Sequence, residues 1–131
     1  MLLGVGVDVL HVPRLRALLL RRSPEQFARR ILCNVEQEQY QAIGASRRVR
    51  FLAVRHVPAW ALKEAAYKAF YPAMKLTWKD VAIQRHGPKP SLVLCSSLSK
   101  NLTGPVHCSV SHDGDYVFAT VIAERARPQA E

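Results

Sequence analysis

The sequence predicts an α+β domain: one N-terminal strand, a block of helices, then a set of antiparallel strands. Three observations carry that expectation. Leu3 to Val9 is an apolar, β-branched run punctuated by glycine, which suits a buried strand. Between Pro13 and Phe70 apolar residues recur at helical spacing, and cap signals divide them into separate helices. Beyond Val81, short β-branched runs alternate with turn clusters. The 131 residues fit one domain, expected over 1–124 with a tail at 125–131. A chain of this length buries roughly two thirds of its unfolded surface, so it can hold a core without staples.

Each element has its own signal. Pro13 stands where a first helical turn accepts proline, opening a helix to Arg22. Ser23-Pro24-Glu25 reads as a cap and restart, giving a short helix to Leu32. Asn34 followed by Gln37 has the spacing of a capping box for a third helix, to Ile43. Gly44-Ala45-Ser46 is a break. A long helical pattern starts at Arg47, is interrupted at His56-Val57-Pro58, and resumes from Trp60 to Phe70. Val81 to Gln84 and Ser91 to Cys95 read as strands joined by the turn cluster His86-Gly87-Pro88-Lys89-Pro90. Val106 to Val110 and Tyr116 to Ala123 read as two more, turned at Asp113-Gly114. Arg125 to Glu131 is expected to fray.

Charge and composition narrow the function classes. Lys plus Arg number 19 against 10 Asp plus Glu, a net charge of +9. Such an excess favours an acidic partner: nucleic acid, a phosphorylated small molecule, an acidic protein or an anionic membrane. With 49% hydrophobic and 22% charged residues, the composition is globular and excludes wholesale disorder. No apolar run reaches the ~18 residues of a membrane helix, so no membrane span is expected. Cys33, Cys95 and Cys108 are odd in number and widely spaced, and read as small core hydrophobes. Met1 runs straight into Leu2-Leu3-Gly4-Val5-Gly6-Val7-Asp8, without the basic start of a secretory signal. The expectation is an intracellular protein, of the cytosol or a mitochondrial matrix.

Three segments carry candidate chemistry. Asp8 sits in a stretch otherwise fit for burial, and a buried carboxylate needs a cation, donors or an exit to water. In Trp60-Ala61-Leu62-Lys63-Glu64-Ala65-Ala66-Tyr67-Lys68, helical spacing puts Trp60, Glu64 and Lys68 on one stripe. Taken alone, Glu64 and Lys68 are an exposed ion pair of a few tenths of a kcal/mol. In Ser109-Val110-Ser111-His112-Asp113, alternation sends both serines to one face and leaves His112 at a strand end. Adjacent residues cannot form a Ser-His-Asp triad, and there is no nucleophile elbow. A zinc site from His107, Cys108 and His112 lacks a fourth ligand and alternates faces.

Together these segments resemble the small holo-acyl-carrier-protein synthases, the short class of 4′-phosphopantetheinyl transferases. The resemblance runs through Gly4-Val5-Gly6-Val7-Asp8-Val9 with Arg14, Arg50-Phe51-Leu52-Ala53-Val54-Arg55, Trp60 to Ala69, Lys89-Pro90, and Ser109-Val110-Ser111-His112. The segments occur in the family's order and cover nearly the whole chain. Val7-Asp8-Val9-Leu10-His11-Val12-Pro13-Arg14 looks most like fungal members. The resemblance implies transfer of the phosphopantetheine arm of coenzyme A to a serine of an acyl carrier protein, leaving adenosine 3′,5′-bisphosphate. It implies Mg²⁺ held by Asp8 and Glu64, with Lys68 on the same phosphates; these three are the candidate catalytic residues. Carboxylate oxygens suit that hard ion, which keeps waters and takes phosphate oxygens. Arg55, Lys68, Lys89, Pro90 and His112 match positions that contact coenzyme A. Arg14 and Arg21 match the helix that meets the carrier protein, whose acidity would account for the basic excess. The implied fold trimerises, with each active site between two subunits.

The chain departs from the family pattern in two places. His56-Val57-Pro58-Ala59 is extra. Four residues turn a helix by about 400°, adding one turn and moving the face by only ~40°. Pro58 lacks an N–H, so a kink or looped-out bulge is expected near Arg55 to Ala59. Second, Pro88 intervenes between Gly87 and Lys89. Two rival functions follow. One is a module that binds coenzyme A or a carrier protein, its chemistry disabled by the insertion. The other, a basic nucleic-acid binder, lacks an aromatic stacking platform or zinc-finger spacing, so no nucleic-acid partner is expected.

Overall fold

The computed structural model describes residues 1–85, 87–94, 102–128 and 130, excepting the side chains at 45, 46, 48–57 and 85. It begins with β1 (Leu2–His11), followed by helices α1 (Val12–Arg21), α2 (Pro24–Ile31), α3 (Asn34–Gln41) and α4 (Ala45–Phe70). A short 3₁₀ turn (Trp78–Asp80) leads into β2 (Val81–Arg85) and β3 (Pro90–Leu94). The chain closes with β4 (Thr103–Asp113) and β5 (Tyr116–Arg125). This is the α+β order that the sequence predicts.

The main sheet is antiparallel with order β1-β5-β4, so the first strand pairs with the last. β2 and β3 form a separate two-stranded sheet. The Cys108 Sγ–H on β4 donates to the Pro90 carbonyl at 3.3 Å, tying that hairpin to the main sheet. Burial pushes the Cys108 thiol up from its ordinary pKa, against the opposing pull of Lys89. Both terminal strands run longer than predicted. The Arg125 N–H donates to the Met1 carbonyl at 2.9 Å, so pairing continues past Ala123.

Helix α4 lies across β1 and β5, its small residues Ala61, Ala65, Ala66 and Ala69 fully buried. Leu62, Phe70, Val117 and Val121 fill the core around them. Of the kink or looped-out bulge expected near Arg55 to Ala59, the bulge does not form: α4 is one helix from Ala45 to Phe70, with Pro58 buried inside it. Four residues are close to one helical turn, so an insertion of that length would leave the inner face of the helix nearly where it was. Pro58 withholds an N–H from the carbonyl one turn back, and a proline ring at such a position crowds that carbonyl.

A second correction concerns α3. Its capping box uses Cys33 and Glu36, one residue ahead of the Asn34 and Gln37 that the sequence suggested. Gln37 instead donates to the Leu32 carbonyl at 3.1 Å, at the end of α2. Cys33 is buried, as expected of a small hydrophobe, and Cys108 is half-buried. Cys95 lies outside the described residues.

Candidate functional site

The site starts from two glycines. A side-chain carbon on Gly4 would stand 2.1 Å from the Ala69 carbonyl oxygen, and one on Gly6 would stand 1.7 Å from that of Ala65. No Cβ fits there, so glycine lets α4 lie directly on β1. Gly4, Gly6 and Asp8 share one face of the strand, because alternate residues do. The seating that brings α4 onto β1 therefore brings its Glu64 and Lys68 beside Asp8.

The contacts follow. The Lys68 Nζ donates to Asp8 Oδ1 at 3.2 Å and to the Val7 carbonyl at 2.9 Å. Burial first, and the nearby Asp8 carboxylate second, push Glu64 above its ordinary pKa; Lys68 opposes both. Two carboxylates and one ammonium thus share a small volume, with more negative than positive charge. Lys68 is half exposed, so the group opens to solvent.

Glu64 also stands where two cavities meet. One, of about 420 Å³, is walled by Leu18, Phe27, Ile31, Trp60 and Trp78, with Arg22 and Arg30 also on its lining. The other, of about 220 Å³, is lined by Lys63, Tyr67, Leu76, Thr77 and Trp78. Glu64 and Trp78 belong to both. Phe27 stacks on Trp60 with centroids 5.3 Å apart, and Trp60 meets Trp78 at 4.9 Å. The predicted stripe of Trp60 and Glu64 therefore walls one groove.

The remaining candidates stand elsewhere. Arg14 and Arg21 are exposed on α1, seven positions apart and so on one side, away from the buried Leu15 and Leu19. Exposed Lys89 immediately precedes Pro90, the first residue of β3. His112 is exposed near the end of β4 and pairs across β5 with Val117, while Asp8 pairs with Ala119. One strand, β5, thus separates His112 on β4 from Asp8 on β1 in this subunit. The side chain of Arg55 lies outside the described residues. His107 and Cys108 point to opposite faces, and His107 Nε2 meets Glu124 Oε1 at 2.7 Å.

One pair was missed. Lys63 Nζ meets Glu36 Oε1 at 2.5 Å, and their side chains are 1% and 2% exposed. The signal was present. Ala59, Leu62, Ala66 and Phe70 form the inner stripe of α4, and Lys63 falls on it, where a lysine must find a partner.

Comparison with known proteins fits this geometry. Residues 4–121 match the family model of the 4′-phosphopantetheinyl transferase superfamily. The chain is 32% identical over 127 residues to the holo-[acyl-carrier-protein] synthase of Bacillus subtilis, covering 95% of this chain and 98% of that protein. It is 35% identical over 132 residues to that of Anaeromyxobacter dehalogenans, covering 98% and 100%. The solved holo-[acyl-carrier-protein] synthase of Neisseria meningitidis superposes with a TM-score of 0.74 at 30% identity, covering 95% of this chain and 100% of that one. The Bacillus anthracis holo-(acyl-carrier-protein) synthase in complex with CoA (3′,5′-ADP) superposes with a TM-score of 0.68 at 27% identity, covering 96% and 99%.

Proposed function

Because the chain belongs to the 4′-phosphopantetheinyl transferase superfamily, we infer that it is a holo-acyl-carrier-protein synthase. It transfers the 4′-phosphopantetheine group of coenzyme A to a serine hydroxyl of an apo acyl carrier protein. The serine oxygen bonds to the phosphorus that carries the pantetheine arm. The bridging P–O bond breaks, adenosine 3′,5′-bisphosphate leaves, and the hydroxyl proton passes to a base or to water. The observation that carries this reading is the meeting of Asp8, Glu64 and Lys68 beside a cleft.

The donor set fits Mg²⁺. Among the described residues no group of three or more His, Cys, Asp or Glu is placed to hold a metal by protein ligands alone. Two carboxylates are enough for an ion that keeps waters and takes phosphate oxygens as further ligands. Excess negative charge where Glu64 faces Asp8 also favours a cation. Asp8 and Glu64 would hold the ion, which supplies charge neutralisation and alignment of the pyrophosphate oxygens. Lys68 holds Asp8 in place and offers its ammonium to the same phosphates.

Three further parts complete the reading. Arg14 and Arg21 receive an acidic carrier protein along the exposed side of α1. Arg55, Lys89, Pro90 and His112 contact coenzyme A. Three copies associate through the sheet face opposite α4, where Val5, Val7, Val9 and Phe118 are 41–54% exposed. In such a trimer His112 of one copy serves the Asp8 of its neighbour, which accounts for their separation within one subunit.

Intact-protein mass spectrometry of an apo carrier protein, after incubation with the chain, coenzyme A and Mg²⁺, tests the assignment. A gain of one phosphopantetheine, abolished by EDTA, supports it; no gain against several apo carriers, from folded protein, overturns it. The second reading, a binding module disabled by the insertion, expects coenzyme A binding without transfer. The unbroken α4 favours the active enzyme.

A further inference from the structure

We propose that Lys63 and Glu36 are a positioning pair that fixes where Glu64 and Trp78 stand in the cleft. The proposal rests on the reading of Glu64 as a metal ligand. All three donors of the Lys63 ammonium are used: Glu36 Oε1 at 2.5 Å, the Ile31 carbonyl at 2.8 Å and the Trp78 carbonyl at 3.3 Å. Glu36 in turn accepts the Cys33 N–H at 3.1 Å and the Ile83 N–H at 3.4 Å. One buried pair therefore joins α4 to the end of α2, the start of α3, the 3₁₀ turn and β2.

Stability alone does not explain this arrangement. Well-packed apolar residues replace a buried ion pair with little loss, and often with gain. What the pair adds is geometry. Lys63 immediately precedes Glu64, so its anchorage fixes the rotation of α4 at the residue that faces Asp8. Its bond to the Trp78 carbonyl holds the other side chain shared by both cavities. A displacement of about 1 Å at such a site costs on the order of a hundredfold in rate. The pair touches no reacting atom; it acts through Glu64 and Trp78.

The test compares the full chain with the double variant Lys63→Met/Glu36→Leu, the single variant Glu36→Gln and the reference variant Glu64→Gln. The readouts are thermal melting, Mn²⁺ binding by electron paramagnetic resonance without substrate, tryptophan emission, and kcat and KM for coenzyme A. The double variant is expected to melt near the parent, bind Mn²⁺ about tenfold more weakly or worse, and shift its tryptophan emission. Its kcat should fall about tenfold or more with KM nearly unchanged. Glu36→Gln keeps the shape and is expected to move the same readouts less, which keeps the test open should the double variant not fold. If folded variants match the parent in Mn²⁺ affinity and kcat while Glu64→Gln loses Mn²⁺, the proposal is overturned and the reading of Glu64 stands. If Glu64→Gln binds Mn²⁺ like the parent, that reading fails and the proposal falls with it.

Discussion

Gly6 lies so close beneath α4 that a methyl group on it would stand 1.7 Å from the carbonyl oxygen of Ala65. The obstacle is backbone, which no side-chain rotation can relieve. Gly6→Ala is expected to destabilise the chain by at least ~2 kcal/mol and to lift α4 from β1. Thermal melting measures the loss. Gly44→Ala, where no atom lies within 4 Å, should cost far less.

Removing either carboxylate should stop the reaction and spare the fold. Asp8→Ala and Glu64→Ala are each expected to lower phosphopantetheine transfer about a hundredfold or more, with circular dichroism unchanged. Carrier-protein mass after timed incubation reads the rate. Full activity in either variant contradicts the metal-ligand roles.

The raised pKa of Glu64 gives a prediction with a definite sign. The folded chain binds this proton more tightly than the unfolded one. Stability from that source is therefore complete below the ordinary value of 4.5 and is lost as pH rises through the elevated one. At pH 7, without metal, ionised Glu64 is a net cost. Glu64→Gln should melt higher than the parent at pH 7, the difference shrinking as pH falls toward 4.5. A bound cation would favour the carboxylate, so the direction is read in metal-free melting, where Lys68→Met, which removes the opposing cation, should enlarge the cost of ionised Glu64.

The exposed arginines of α1 should govern the protein substrate alone. Arg14→Glu/Arg21→Glu is expected to raise KM for the carrier protein about tenfold or more, with KM for coenzyme A nearly unchanged. Salt should weaken the parent's engagement and have less effect on the variant. Steady-state kinetics at two ionic strengths decide it.

Pro58 should be dispensable. Pro58→Ala restores an N–H to the helix and removes a steric conflict worth ~3 kcal/mol, offset by lost apolar contact. Transfer within about threefold of the parent is expected, checked by the same mass assay.

Much of this was legible in residue order. The glycine-Asp run marked a strand, and the Trp60 to Lys68 stripe put its chemistry on one helix side; that the glycines seat α4 emerged only from the fold. Two further things were not legible, for different reasons. The proline argued for a break, but a local penalty of a few kcal/mol yields to tertiary packing along a 26-residue helix. Glu36 and Lys63 are 27 residues apart, and local patterning does not say which distant charge a buried lysine will meet. Glu36 also explains the shifted cap of α3, since the carboxylate that meets Lys63 is the one that turns back to Cys33.

Val5, Val7 and Val9 bear on the life of the newly made chain. A row of bare aliphatic side chains on a finished sheet is a liability to a molecule on its own, because any other apolar surface can cover it. Scarce chains spend longer uncovered than abundant ones. Under the proposed association of three copies, specific activity should fall on dilution, and losses to precipitation should be worst where synthesis outpaces pairing with like copies. Replacing one valine by a charged residue would trade that hazard for a soluble, solitary subunit.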